Sequence, residues 1–324
     1  MSKELSIVMY HYVRDLKNSR YPEINGLDFT LFKRQIEYFN KYFNVITMEE
    51  LMASYYESYD LPENSILLTF DDGYIDNYTF VFPVLNEYKM QGSFFIAGKS
   101  FKEHILLDVN KIHFILASTN IKNLMEDIFQ QLNYYRGMEY DIETNKILFE
   151  KYAIANRFDS REVIFVKRLL QTILPEQLRN MIASNLFAKY VGIPEKVFAY
   201  ELYLSHNQIK CMKNNGMYIG VHGYDHYWLG NLEEKEMKKD ILKALDCMSD
   251  FIDTTDWVMN YPYGSYNDNV VDFVRSIDCK LGLTTEVNKV NIKEDNRYLL
   301  SRFDTNDFPP KSENYKRYDQ EIVL

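Results

Sequence analysis

Short apolar runs alternate along this chain with segments in which apolar residues recur every three or four positions. The short runs predict strands at residues 5–10, 65–70, 92–97, 218–221, 257–260, 281–284 and 299–303. The longer segments predict helices between them, for example at 31–42, 77–89 and 232–251. Strand and helix in regular alternation are typical of parallel βαβ units. The pattern therefore predicts an α/β fold.

This alternation stops in the middle of the chain. Helical patterns at 121–135, 162–173 and 176–190 follow one another there, and Pro175 stands at the start of the third. We expect residues 1–104 and 201–308 to form the α/β fold and residues 105–200 to form a helical insertion. Residues 309–324 are predicted to be a polar C-terminal tail.

Polar residues with catalytic potential come directly after several predicted strands. His11 follows the first strand, Asp71 and Asp72 follow the second, and His222 follows the strand at 218–221. The sequence Tyr-Pro-Tyr-Gly at 261–264 follows the strand at 257–260. The carboxyl ends of parallel strands form the edge at which α/β folds build their sites. We therefore expect these side chains to gather at one edge.

Asp71, Asp72, His222 and His226 together have the pattern of a metal site. Two adjacent carboxylates repel, so holding both calls for a cation or a shared proton, although such a pair alone is also typical of an Asx turn with two solvated carboxylates. Histidines four positions apart can share one ion, although alone they are also compatible with two surface histidines. Two imidazoles and a carboxylate form a zinc or non-haem iron type of site.

Composition narrows the function classes. The net charge of −10 argues against a general nucleic-acid binder, which needs clustered Lys and Arg. Three cysteines without a CxxC pair indicate neither a disulfide framework nor a thiolate zinc site. No stretch is apolar enough to predict a transmembrane segment, and the N-terminus lacks the pattern of a signal peptide. We expect a cytoplasmic protein, with the membrane surface as the other location, and leave its oligomeric state open.

Four motifs resemble those of the polysaccharide deacetylases, which form carbohydrate esterase family 4 and carry the NodB-homology domain. They are TFDDGY at 69–74, HGYDH at 222–226, NYPYG at 260–264 and MYHYV at 9–13. The last resembles the permuted members, which have an N-terminal catalytic histidine. The resemblance implies a distorted (β/α)7-type barrel, here with a large helical insertion.

The resemblance also implies a role for each motif residue. Asp71 is the catalytic base, and Asp72, His222 and His226 hold one divalent ion. Zinc is the first expectation for that ion, and this ligand set also accepts Ni²⁺, Co²⁺ or Fe²⁺. The backbone N–H of Tyr263 is implied to stabilise the oxyanion that forms during amide cleavage.

The sequence departs from the usual family pattern at three places. No histidine follows His226, so the general acid is expected to be His11, as in the permuted members. Asn260 stands where the third motif has an arginine, and Arg302 is the predicted replacement. Gly223 stands where the metal motif has Ser or Thr, and we expect little consequence.

The resemblance implies metal-dependent hydrolysis of the N-acetyl amide of an amino sugar, in the synthesis of a surface polysaccharide or glycolipid. The expected partner is an N-acetylated sugar that is nucleotide-linked, lipid-linked or part of an oligosaccharide. Two alternatives stay open. One is a deformylase or another small-amide hydrolase. The other is a catalytically degenerate glycan-binding protein, which only Asn260 favours.

Overall fold

The structure is a computed structural model, and it describes residues 4–138, 140–157 and 159–318. The strands are β1 (Glu4–Tyr10), β2 (Val13–Arg14), β3 (Leu27–Asp28), β4 (Asn44–Val45), β5 (Ser65–Phe70), β6 (Ser93–Ile96), β7 (Tyr218–Val221), β8 (Trp257–Asn260), β9 (Cys279–Leu283), β10 (Val290–Asn291) and β11 (Phe303–Asp304). The helices are α1 (Phe29–Tyr42), α2 (Met48–Tyr56), α3 (Phe82–Tyr88), α4 (Gly98–Glu103), α5 (Asp108–Ser118), α6 (Ile121–Arg136), α7 (Asn145–Tyr152), α8 (Arg161–Arg168), α9 (Glu176–Tyr190), α10 (Glu195–Leu202), α11 (His206–Asn214), α12 (Glu234–Met248) and α13 (Asp268–Ser276).

One sheet forms the frame of the fold. Its strands lie in the order β10-β1-β5-β6-β7-β8-β9, with β4 beside β5 and β11 beside β1. All these pairs are parallel except β1 with β10. Leu300 forms a parallel bridge with Leu283 of β9, and Phe303 pairs with Val8 of β1. The segment 300–304 therefore joins the two ends of the sheet into a distorted (β/α) barrel, and the fold class predicted from the sequence is confirmed.

The apolar interior of the barrel explains how the sheet positions polar groups. Ile7, Leu67, Phe95, Val258 and Leu281 come from five strands and pack in one buried cluster. Alternate residues of a strand share a face. Each strand therefore sends a column of side chains along the interior toward its carboxyl end.

Polar residues occupy the next inward-facing positions, at the carboxyl ends of these strands. His11 lies four positions after Ile7, and Asp71 lies four positions after Leu67. In the same way Arg302 lies two positions after Leu300, which belongs to the same buried cluster. The alternation of side chains thus brings residues from distant parts of the sequence to one end of the barrel.

The chain divides into two compact units. The first comprises Met1–Asp15, Gly26–His104 and Tyr200–Leu324, and the second comprises Leu16–Asn25 and Ile105–Ala199. The second unit has its own aromatic core, in which the Phe198 ring lies 4.6 Å from that of Phe114 and 5.4 Å from that of Phe187. The sequence predicts the segment Leu16–Asn25 within the α/β part, residues 1–104, whereas the structure groups it with Ile105–Ala199.

The C-terminal segment lies partly in the core of the first unit. Tyr315 is buried and its ring stacks on that of Phe308 at 4.5 Å. Within the predicted tail, residues 319–324 lie outside the described residues. Across the described residues, no helix combines the length and the apolar character needed to cross a membrane.

Candidate active site

The two adjacent aspartates at the end of β5 serve different neighbours. The backbone N–H of Asp71 donates to the carbonyl of Tyr10 at 2.9 Å, which continues the pairing of β1 with β5. Asp72 then adopts a left-handed conformation, with φ of +71°, and Gly73 follows with φ of +69°. This turn separates the carboxylates, so that Asp71 contacts the barrel interior and Asp72 contacts two histidines.

Asp72, His222 and His226 form a compact group of buried metal-ligating side chains. The Asp72 Oδ1 atom lies 3.3 Å from Nε2 of His222 and 3.1 Å from Nε2 of His226. All three atoms lie within 4.8 Å of one another. The Nδ1 atom of His222 is 2.7 Å from the carbonyl oxygen of Asn260. It donates there, because a carbonyl only accepts, and Nε2 is left as the lone-pair atom that a metal ligand needs.

The donor set fits a divalent cation. Asp72 Oδ1 is buried and has no hydrogen-bond partner among the described residues. This oxygen and the two imidazole nitrogens are all hydrogen-bond acceptors. Because no donor lies between them, they repel one another unless a cation binds there. Burial raises the pKa of Asp72, but the neighbouring imidazoles of His222 and His226 favour the ionised carboxylate more strongly and hold that pKa well below its usual value.

A buried carboxylate accepts hydrogen bonds from the backbone of the loop that carries both histidines. Gly223 and His226 have φ of +66° and +57°, so the loop turns twice through the left-handed region. Asp240 of α12 is buried and accepts the backbone N–H groups of Tyr224 at 2.9 Å and Asp225 at 2.8 Å. Asp240 therefore fixes the path of the loop between His222 and His226.

Arg302 uses all five of its N–H donors in the barrel interior. Nε donates to the Thr284 carbonyl at 2.7 Å, and Nη1 donates to Thr69 Oγ1 at 3.1 Å and Asp71 Oδ1 at 2.8 Å. Nη2 donates to Asp71 Oδ2 at 3.0 Å and Asn260 Oδ1 at 2.9 Å. Asn260 in turn donates to Asp71 Oδ1 at 2.6 Å. The Asp71 carboxylate is therefore held at both oxygens.

The charges around Asp71 decide its protonation. Burial raises the pKa of this carboxyl, and the positive charge of Arg302 is the largest of the opposing influences, followed by His11 and His222. Their sum lowers the pKa of Asp71 below its usual value. The carboxylate is thus ionised at neutral pH and able to accept a proton.

His11 and Tyr263 lie beside this group. The His11 Nε2 atom is 3.8 Å from Asp71 Oδ2, and the His11 side chain is 39% exposed, so it reaches both Asp71 and the solvent. Tyr263 has φ of +59°, and its ring contacts that of His226 edge-on at 4.6 Å. Trp228 stacks on Tyr263 with centroids 4.6 Å apart and an interplanar angle of 10°.

The remaining histidines contribute no atom to the metal-ligating group found among the described residues. His104 stacks on Tyr200, and His206 pairs with Asp250 at 3.3 Å on the surface. His113 belongs to α5 of the second unit.

Sequence reasoning missed three residues that organise the site. Tyr74 donates a hydrogen bond to Asp72 Oδ2, and Asp240 holds the histidine loop. From the sequence, Asn260 marks only the absence of the motif arginine, whereas in the structure its side chain contacts Asp71 and its backbone carbonyl contacts His222. The TFDDGY motif was a signal for Tyr74, but no periodicity marks Asp240, which lies within an ordinary amphipathic helix.

The family model described as polysaccharide deacetylase matches residues 58–139 and 175–282, more than half of the chain. This chain belongs to the polysaccharide deacetylase family. The resemblance inferred from the four motifs is confirmed. The matched residues include the Asp71–Asp72 pair, both metal-motif histidines and the 260–264 segment.

Relatives of this polysaccharide deacetylase agree with the assignment. The candidate polysaccharide deacetylase YxkH of Bacillus subtilis (strain 168) is 31% identical over 109 residues, which cover 32% of this chain and 36% of YxkH. The match thus spans only about a third of that relative. Two solved structures share the fold across nearly the whole chain. The deacetylase PplD of Streptococcus pyogenes, solved with acetate, has a TM-score of 0.57 at 16% identity and covers 98% of this chain and 99% of its own. IcaB from Ammonifex degensii has a TM-score of 0.54 at 19% identity, and the match covers 93% of this chain and 91% of the IcaB chain.

Proposed function

We propose that this polysaccharide deacetylase hydrolyses the N-acetyl amide of an amino sugar with the help of one divalent metal ion. The observation that carries the proposal is the meeting of Asp72 Oδ1 with the Nε2 atoms of His222 and His226 within 4.8 Å. An ionised Asp71, anchored at both oxygens, lies next to this group in sequence. A metal-ligand set beside a fixed carboxylate base is the arrangement that amide hydrolysis requires.

In this proposal each side chain has a separate task. Asp71 accepts the proton of the attacking water, and Arg302 and Asn260 hold the carboxylate in position. His11, at 3.8 Å from Asp71, gives a proton to the departing amine. The backbone N–H of Tyr263 stabilises the negative charge that develops on the carbonyl oxygen.

Asp72, His222 and His226 would hold the ion. When bound, a divalent ion polarises the acetamide carbonyl and lowers the pKa of water. Zinc is our proposal for the ion, because two imidazoles and one carboxylate form a common catalytic zinc set. Ni²⁺, Co²⁺ and Fe²⁺ are compatible with the same ligands.

The contacts of Arg302 argue against a catalytically degenerate glycan-binding protein. That alternative depended on Asn260 in place of the arginine of the third motif. Arg302 makes a two-point contact with Asp71, and Asn260 adds a hydrogen bond to the same carboxylate. A module that only binds glycans has no use for a base that is fixed in this way.

We further propose that the substrate is a nucleotide-linked, lipid-linked or oligosaccharide amino sugar used to make a surface polysaccharide or glycolipid. In this proposal the barrel residues 1–104 and 201–308 carry the deacetylase site, and residues 105–200 form an insertion. The cytoplasmic location expected from the sequence stays a prediction, which cell fractionation tests.

Acetate release tests the function. Purified protein is incubated with N-acetylated oligosaccharides, nucleotide sugars and lipid-linked sugars, and released acetate and formate are both measured. We expect acetate from at least one class, loss of activity with a chelator, and recovery with Zn²⁺. The variant Asp71→Asn should release none. Formate release from formylated sugars with no acetate from any class would instead support a deformylase.

A further inference from the structure

The hydroxyl of Tyr74 donates a hydrogen bond to the oxygen of Asp72 that does not face the histidines. This acceptor is Oδ2, whereas Oδ1 is the atom that lies 3.3 Å and 3.1 Å from the two imidazole Nε2 atoms. Tyr74 is fully buried and Asp72 is 2% exposed. The two carboxylate oxygens therefore have different environments, one set by a phenol and the other by the histidines.

The ring of Tyr74 is itself fixed by neighbouring aromatic residues. Tyr12 stacks on it with centroids 4.0 Å apart and an interplanar angle of 16°. The ring of Tyr203 is nearly parallel to it at 6.3 Å, and the backbones of Tyr74 and Tyr203 form a β-bridge. The backbone N–H of Leu204 donates to the Gly73 carbonyl at 3.0 Å. Tyr74 is therefore a donor with a fixed position.

We propose that Tyr74 is a positioning residue for the metal ligand Asp72, an inference that rests on the proposed metal-dependent function. The terminal torsion of an aspartate is broad, so an unrestrained carboxylate samples many orientations. The Tyr74 hydroxyl selects the orientation in which Oδ1 faces His222 and His226. Groups that orient a ligand in this way contribute about 10-fold to 100-fold to metal affinity.

A merely structural role for Tyr74 makes a different prediction. In that case the hydroxyl only satisfies a buried oxygen, and its loss lowers the stability of the metal-free protein without changing its affinity for metal. A positioning role lowers the affinity itself. The two roles separate when metal affinity and metal-free stability are measured on the same variant.

The experiment titrates metal-stripped full-length protein with Zn²⁺ against a competing chelator. Tyr74→Phe keeps the ring and removes the hydroxyl, and it should weaken Zn²⁺ binding about 10-fold to 100-fold. It should also change the visible absorption of bound Co²⁺, which reports on the ligand environment. The matched control is Tyr55→Phe, which removes another buried hydroxyl that has no partner among the described residues. This control should bind Zn²⁺ like the parent protein.

The possible outcomes are distinguishable. If the parent protein binds Zn²⁺ no better than His222→Ala, the proposed metal-dependent function fails. If the parent binds tightly and Tyr74→Phe stays within about threefold of it, with an unchanged Co²⁺ spectrum, the positioning role of Tyr74 is overturned. If Tyr74→Phe does not fold, Tyr12→Leu replaces it in the test, because this change removes the stacked ring and leaves the Tyr74 hydroxyl. Weaker Zn²⁺ binding by folded Tyr12→Leu supports the proposal, and unchanged binding contradicts it.

Discussion

Arg302 holds Asp71 through two parallel hydrogen bonds of 2.8 Å and 3.0 Å, although the two residues lie 231 positions apart in the sequence. Both side chains are buried, at 0% and 2% exposure. Two-point contacts between guanidinium and carboxylate are strong and directional. In the proposed mechanism Arg302 therefore does for Asp71, from the segment just before β11, what the arginine of the third motif would do.

Two substitutions of Arg302 should separate the effect of its positive charge from the effect of its two-point contact with Asp71. Arg302→Lys keeps a positive charge but loses the two-point contact, so we expect kcat to fall by about 10²-fold. Arg302→Met leaves Asp71 buried without a counter-charge and should lower the free energy of unfolding by about 3–5 kcal/mol. Steady-state kinetics and urea unfolding measure the two effects. Arg275→Lys, at an exposed arginine that pairs with Asp272, serves as the control. Normal turnover by Arg302→Lys would exclude a positioning role for the guanidinium.

Removing one histidine of the metal group should remove the metal. His222→Ala leaves two protein ligands, so we expect it to lose most bound Zn²⁺ and nearly all activity. Metal content per chain after purification without added metal is the measurement. His206→Ala is the matched control. This histidine is exposed, pairs with Asp250, and is not part of the group formed by Asp72, His222 and His226. Full metal occupancy in His222→Ala would refute the assignment.

His11 should act on the leaving amine and leave the metal in place. His11→Ala should keep its Zn²⁺ and its fold but lose about 10²-fold to 10⁴-fold in kcat, the usual contribution of a positioned acid. Kinetics on the natural amide are compared with kinetics on an ester or activated amide whose leaving group needs no proton. An acid's removal affects the natural amide much more. Equal losses on both substrates would return His11 to a structural role.

Gly223 and Gly192 form a matched pair for testing the metal loop. Both have left-handed φ angles, +66° and +72°, so an alanine at either costs about 1–2 kcal/mol of stability. At Gly223 the added Cβ would also lie 3.1 Å from Asp240 Oδ2 and 3.3 Å from Pro262 Cγ, whereas at Gly192 nothing lies within 4 Å. We expect only Gly223→Ala to weaken Zn²⁺ binding, as measured by chelator competition. Equal Zn²⁺ affinities in both variants would show that the loop at 222–226 accommodates the added methyl group without disturbing the histidines.

The sequence predicted the central strands because burial on a sheet leaves a local pattern. The strands at 65–70, 218–221 and 257–260 have the predicted bounds. The polar residues after these strands gather as expected, because parallel strands share a carboxyl edge.

The parts of the fold and of the site that could not be predicted depend on contacts that leave no local pattern in the sequence. β10 and β11 have two residues each and are defined only by their partners in β1. The hydrogen bond from Asn260 to Asp71 joins residues 189 positions apart. The helix predicted at 77–89 contains a π-helical turn at Asn77–Val81, which apolar spacing does not distinguish from an α-helix.

The closure of the barrel by residues 300–304 also orders events during synthesis and folding. The Phe303 pairing connects the segment 300–304 to the first strand, and the Leu300 bridge connects it to β9. A ribosome-bound chain that has not reached residue 302 therefore has no counter-charge for Asp71, and this carboxylate stays in water. Contacts of such long sequence separation form slowly. The proposed base is thus held in place only after the segment 300–304 has paired with β1.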